Sequence, residues 1–250
     1  MTDKPTESKA SPETLAGKQK LLELFKQRPM NDDELLTHVG LFLRSSHIAK
    51  ILFINEIYEL IRDVPGIIME FGVHFGQNLS LFENLRAINE PFNQNRRVVG
   101  FDTFTGYASA SERERESPVI GGEGYLLPSE YPDYLRQVLA YHESNNILSH
   151  IQKHEVIVGD VVETVPAYFE KYRGDIVALA YFDLAIETPT RVCLEAVLPH
   201  CGPGSVLLMD ELNFRDYDGA SIAFKEVMAG RNYAIKKSRY MTDRSIVTLL

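Results

Sequence analysis

Residues 67–78 read Ile-Ile-Met-Glu-Phe-Gly-Val-His-Phe-Gly-Gln-Asn. A short run that is apolar except for Glu70 stops at Gly72, and Gly76 closes the turn before a stretch of helical spacing. A strand buried on both faces reads as a near-continuous apolar run, and a glycine-bearing turn into a helix is the usual way out of such a strand. Pro65-Gly66 punctuates the chain just before it. Downstream, 98–104, 156–159, 176–184 and 205–212 repeat the apolar, β-branched character. Helical spacing fills 78–88, 131–145, 161–172 and 190–198 between them. This alternation predicts an α/β fold, a doubly wound and mostly parallel sheet with right-handed crossovers. Two further runs, 233–238 and 245–250, flank a polar turn and predict a hairpin at the sheet edge, for seven strands in all.

Before Pro65 the spacing of Leu21, Leu22, Leu24 and Phe25, then of Ile51, Leu52, Ile54, Ile57 and Leu60, predicts amphipathic helices. The expected organisation is therefore a disordered polar tail over 1–18, a helical extension over 19–66, and the sheet domain over 67–250. The stretch 105–129 is long for a connection and carries Gly106, Gly121, Gly122 and Gly124, so it is expected to be a mobile cover over a binding site.

The 250 residues suffice for one large domain, and 44% hydrophobic with 24% charged residues is ordinary globular composition. No apolar run approaches the ~20 residues that span a bilayer. The first residues lack the apolar centre of a signal peptide, which points to the cytoplasm and away from a membrane. A net charge of −9 without a basic run argues against nucleic acid as a partner. Cys193 and Cys201 fit neither a disulfide framework nor a zinc site.

Ligands of open α/β sheets sit at the carboxyl ends of the strands. Three of those ends are acidic: Glu70 in the first, Asp102 in the second, Asp160 after the third. Asp102 is placed to accept from both hydroxyls of a ribose, and Asp160 to reach an adenine amino group. A row of carboxylates would repel a pyrophosphate, and Gly72 and Gly76 depart from the dinucleotide glycine spacing. A nucleoside joined to an amino acid fits better, which favours S-adenosylmethionine. The cofactor is expected against Glu70, Gly72, Gln77, Asn78 and Ser80 on one side of the turn. It is also expected against Asp102, Thr103, Phe104, Asp160 and Asp183.

The fourth strand ends in Phe182-Asp183 and the fifth in Met209-Asp210-Glu211. Neighbouring parallel strands would gather Asp183, Asp210 and Glu211 at one edge, where three carboxylates need a cation. Hard oxygen ligands suit Mg²⁺.

Four stretches together resemble the macrocin O-methyltransferase (TylF) family: Met69-Glu70-Phe71-Gly72-Val73; Gly100-Phe101-Asp102-Thr103-Phe104; Ala178-Leu179-Ala180-Tyr181-Phe182-Asp183; and 204–213, which includes Met209-Asp210-Glu211. The resemblance covers roughly 51–250. It implies a class I, Rossmann-like methyltransferase fold, S-adenosylmethionine, Mg²⁺ on Asp183, Asp210 and Glu211, and an acceptor that is a nucleotide-linked deoxysugar of natural-product biosynthesis. The sequence departs from the family at Ala185, where a second Asp, a candidate general base, is expected. Methyl transfer to a hydroxyl gains from proton removal, so Glu187 and His142 are the candidate catalytic residues. A methyltransferase for another acceptor such as an amine, and a non-catalytic cofactor-binding partner protein, are the alternatives. The helical extension is a candidate contact for a homodimer.

Overall fold

The structure, a computed structural model, describes residues 11–250. The chain divides into two units, one up to Ile51 and one spanning Leu52–Leu250.

The first unit holds α1 (Pro12–Lys26), α2 (Asp32–Thr37), a 3₁₀ turn (Val39–Phe42) and the start of α3 (Ser45–Ile61). The first ten residues of the expected tail lie outside the described residues. The rest of it, from Pro12, is helix and corrects that expectation. Ser11 caps α1 by accepting the Thr14 N–H at 3.3 Å, Pro12 sits in the first turn, and Glu13 faces the positive end of the helix dipole. Asn31 and Glu34 form a capping box on α2. Phe25 meets Phe42 edge to face, with ring centroids 5.1 Å apart. None of the described residues of this unit is buried.

The second unit carries the sheet: β1 (Ile67–Phe71), β2 (Val98–Asp102), β3 (His154–Val158), β4 (Val177–Phe182), β5 (Val206–Met209), β6 (Tyr233–Lys237) and β7 (Ser245–Leu249). Its order is β3-β2-β1-β4-β5-β7-β6. The first five strands are parallel; β7 runs antiparallel to β5 and to β6. The doubly wound α/β sheet of seven strands and its terminal hairpin are as the sequence predicts. The boundary between the units differs, falling inside α3 rather than at residue 66. The reason is burial. Phe53, Ile54, Ile57, Tyr58 and Ile61 of α3 are inaccessible to solvent and belong to one of the two cores.

Period-two alternation sorts the strands between those cores. Met69, Phe71, Phe182 and Met209 point to the face covered by α7 (Val161–Lys171), α8 (Glu187–Val197) and α9 (Gly219–Val227). Ile68, Leu179, Tyr181 and Leu208 point to the face covered by α3, α4 (Gln77–Asn89) and α6 (Tyr131–Ser144). Under α4 and α6 lies a buried charge network. Arg86 donates to both oxygens of Glu143 at 3.1 Å, and Lys153 Nζ lies 2.6 Å from Glu143. Strand order reverses between β1 and β4, which opens a crevice at their carboxyl ends.

The 105–129 stretch carries a single turn of helix, α5 (Glu112–Arg115), with a Ser111–Glu114 capping box. Arg113 grips Asp218 with two bonds of 2.9 and 3.1 Å, and Glu114 Oε1 accepts the Glu187 N–H at 2.7 Å. A side chain at Gly219 would lie 2.5 Å from that nitrogen, so glycine is what lets α5 approach α8 and α9 here.

Candidate active site

The crevice holds a cavity of about 390 Å³, within the ~300–1,000 Å³ typical of small-molecule sites. β1 delivers Gly72, whose φ of +90° and contact with the Asp183 carbonyl exclude any side chain. β2 delivers Asp102. The His74 N–H donates to one of its oxygens and the Phe104 N–H to the other, each at 2.7 Å. His74, Phe104 and, beyond β4, Ala185 all have φ between 48° and 59°, a conformation costly for side-chain-bearing residues. His74 lines the cavity, and Phe104 and Ala185 each adjoin residues that do.

After β3, Asp160 caps α7 by accepting the Val162 N–H at 3.0 Å, and Ser109 of the covering loop bonds its other oxygen. Thr103 bonds Gly106 O at 2.7 Å and so shapes the entrance to that loop. Gly72, Asp102, Thr103, Asp160 and Asp183, the residues expected beside the cofactor, all line the cavity. Glu70, Gln77, Asn78, Ser80 and Phe104 do not, which corrects their placement. Glu70 is turned inward, where its carboxylate accepts from Asn78 Nδ2 at 2.6 Å and ties β1 to α4. Gln77 is exposed, and Phe104 is buried in the core beneath the sheet.

Asp183, Asp210 and Glu211 come together as the parallel register of β4 and β5 requires, their nearest oxygens all within 4.8 Å of one another. Asp210 and Glu211 are buried, at 4% and 8% exposure. Burial, with the charges of Asp183 and Asp210, pushes the Glu211 carboxyl well above the usual carboxylate range. Glu211 Oε2 is shut from solvent and has no hydrogen-bond partner. A buried lone oxygen among like charges is a ligand-ready atom, and the donor set is all hard oxygen, which fits a divalent cation such as Mg²⁺. A second acidic group, Glu83, Glu143 and His154, has similar spacing. Arg86 and Lys153 already neutralise it, so it is a structural network.

Asp210 has two further partners. The Tyr181 hydroxyl donates to it at 2.5 Å, and Arg244 forms an ion pair with it. Arg244 precedes β7 and faces Asp210 because Met209 pairs with Ser245 one step before. The roof of the cavity is aromatic: Tyr107 and Tyr125 meet at 5.4 Å, Tyr125 meets His74 at 5.3 Å, and Phe214 stacks on Tyr217 at 5.2 Å. Burial, then the nearby Glu211, pushes the Tyr217 phenol up to about 12. These phenols are neutral hydrogen-bond donors, not bases.

Neither candidate base reaches the cavity, and both are corrected. Glu187 turns its carboxylate to Arg191 at 2.7 Å. His142, on α6, lies 3.3 Å from Asn84 Nδ2 and outside the cavity. His74, Ser109, Tyr107, Tyr125, Phe214, Tyr217, Asp243 and Arg244 line the site without having been singled out. Only the glycine-rich length of the loop hinted at some of them.

No protein-family model matches the chain, and no curated protein sequence does. Solved structures do. CalS11, a calicheamicin methyltransferase, is 34% identical, with 99% of each chain covered and a TM-score of 0.90. An apo structure of CalS11, described as a TDP-rhamnose 3′-O-methyltransferase of calicheamicin biosynthesis, is 35% identical over 96% of each chain, with a TM-score of 0.84. The O-methyltransferase NovP, at 16% identity and a TM-score of 0.56 over 81% of this chain and 79% of its own, shares the fold. The strand order, the acidic strand ends and near full-length identity above 30% agree, and the chain belongs to the class I S-adenosylmethionine-dependent O-methyltransferase family that includes CalS11.

Proposed function

We propose that the protein transfers a methyl group from S-adenosylmethionine to a sugar hydroxyl, the sugar being a nucleotide-linked deoxysugar of natural-product biosynthesis, with Mg²⁺ held by Asp183, Asp210 and Glu211. The observation that carries this reading is the convergence of those three carboxylates in the same cavity as Asp102 and Asp160. Likeness to a TDP-rhamnose 3′-O-methyltransferase supports the acceptor class.

The roles divide by chemistry. Asp102, held by two backbone N–H groups, keeps lone pairs directed at the ribose hydroxyls of the cofactor. Asp160 serves the adenine amino group, and Gly72 lets the main chain approach the amino-acid end. When bound, Mg²⁺ supplies Lewis-acid charge that lowers the pKa of the acceptor hydroxyl. The tyrosines of the roof exclude water and donate hydrogen bonds, so the chain's work is alignment of two oriented reactants. Among the described residues, six acidic side chains line the cavity, and Arg244 is its sole lysine or arginine. A nucleotide diphosphate therefore stays outside, with only the sugar admitted.

The test is turnover of a panel of nucleotide sugars with ¹³C-methyl-labelled cofactor, read by NMR, with EDTA and Mg²⁺ added in turn. Methylation of a sugar hydroxyl that EDTA stops and Mg²⁺ restores is expected. Full turnover in EDTA refutes the metal role, and transfer to free amines alone refutes the acceptor class.

A further inference from the structure

We infer that Arg244 is a built-in counter-charge that sets the valence of the cation held by Asp183, Asp210 and Glu211; the inference rests on the metal reading above. A bound cation keeps all three carboxylates ionised, −3 together. Two of the three are nine-tenths buried, so the site tolerates little uncompensated charge. The Arg244 guanidinium, only 16% exposed, forms an ion pair with Asp210, and its Nη1 lies 3.4 Å from the Asp210 carbonyl oxygen. Arginine stays charged at every working pH. Arg244 and the three ligand carboxylates together thus carry −2, and a divalent cation brings that set of four to zero. A trivalent cation would leave one buried positive charge in excess.

The geometry supports a fixed role. Arg244 is not a mobile surface residue: the β5–β7 register places it across from Asp210, and its Nη1 also donates to Asp243, another residue of the cavity lining, at 2.7 Å. That carboxylate is 55% exposed and so is screened by water. Tyr181 adds a neutral hydrogen bond to Asp210 and no charge. Arg244 is a positioning residue that acts through Asp210.

The experiment measures affinities of Mn²⁺ and Tb³⁺ for the full-length protein, by electron paramagnetic resonance and lanthanide luminescence, and reads their ratio. Loss of positioning weakens both ions alike and cancels in the ratio, whereas loss of the counter-charge does not. Arg244→Met and Arg244→Gln should each shift the ratio towards Tb³⁺ by about tenfold or more, since one more unit charge at this range acts on the ion of higher valence. Arg244→Lys should keep the wild-type ratio, and so should Tyr181→Phe. S-adenosylhomocysteine binding by each variant shows that it is folded; should Arg244→Met not fold, the amide of Arg244→Gln keeps a donor towards Asp210. A ratio unmoved in the neutral variants, or moved equally by Arg244→Lys, overturns the inference while the metal site stands. A wild type that binds neither ion overturns the metal reading itself.

Discussion

At the scale of single residues, backbone geometry decides what each carboxylate can do. Asp102 is fixed by the N–H groups of His74 and Phe104, each in the left-handed region. Asp102→Ala should weaken S-adenosylhomocysteine about 10–100-fold by calorimetry, because charge-assisted hydrogen bonds contribute ~1.5–3 kcal/mol each. Ala185 is the second case. It stands where a second Asp was expected, yet it is 1% exposed, has a φ of 59° and does not line the cavity. Ala185→Asp would bury a carboxylate near Asp183, so it should not raise turnover. It should lower unfolding free energy by ~1–3 kcal/mol in urea titration. A faster enzyme would show instead that the carboxylate reaches the acceptor.

At the scale of elements, the ties between helices and strands are unequal. α4, α6 and the start of β3 share the Arg86–Glu143–Lys153 network, whose members are at most 4% exposed. Removing one charge from such a group strands the others, so Glu143→Gln should cost ~3–5 kcal/mol without changing turnover per folded molecule. Burial raises the Glu143 pKa, but bonds from Lys153 and Arg86 outweigh it and hold the carboxyl below its ordinary 4.5. A depressed folded-state pKa adds stability that is complete above pH 4.5 and lost as pH falls through the folded value. Wild type should therefore lose stability steeply below pH 4.5, and Glu143→Gln less steeply, by denaturant titration across pH 3–7. Equal slopes would remove Glu143 from the acid transition.

For the molecule as a whole, both cores lie in residues after Leu52. The first unit offers Leu36 and Leu41, at 77% and 66% exposure, and buries nothing. A chain beginning at Ser45 should keep the unfolding temperature within a few degrees and the cofactor affinity of the full chain. If the first unit joins two copies, light scattering should show the shortened chain at lower mass. A collapse of the unfolding temperature would mean that the first unit contributes to the folded core.

Much of this was legible in the sequence because a parallel sheet imposes its own rules. Apolar runs buried on both faces mark the parallel strands, and their carboxyl ends must share an edge, so Glu70, Asp102 and Asp160 were readable as one acidic row and Asp183, Asp210 and Glu211 as another; only Glu70 turns inward. Helix boundaries were close for the same reason: Asp160 and Gly76 stop strands and start helices. α9 was missed, since its opening Gly219-Ala220-Ser221 gives no apolar stripe. What tertiary structure alone decided concerns side-chain direction and contacts distant in sequence. Glu187 follows the right strand but is drawn to Arg191, and His142 sits on a helix face turned from the cavity. The pairing of Arg244 with Asp210 spans 34 residues and depends on the antiparallel register of β7 on β5. Composition and periodicity place residues on elements, and only packing determines which partner a charge finds.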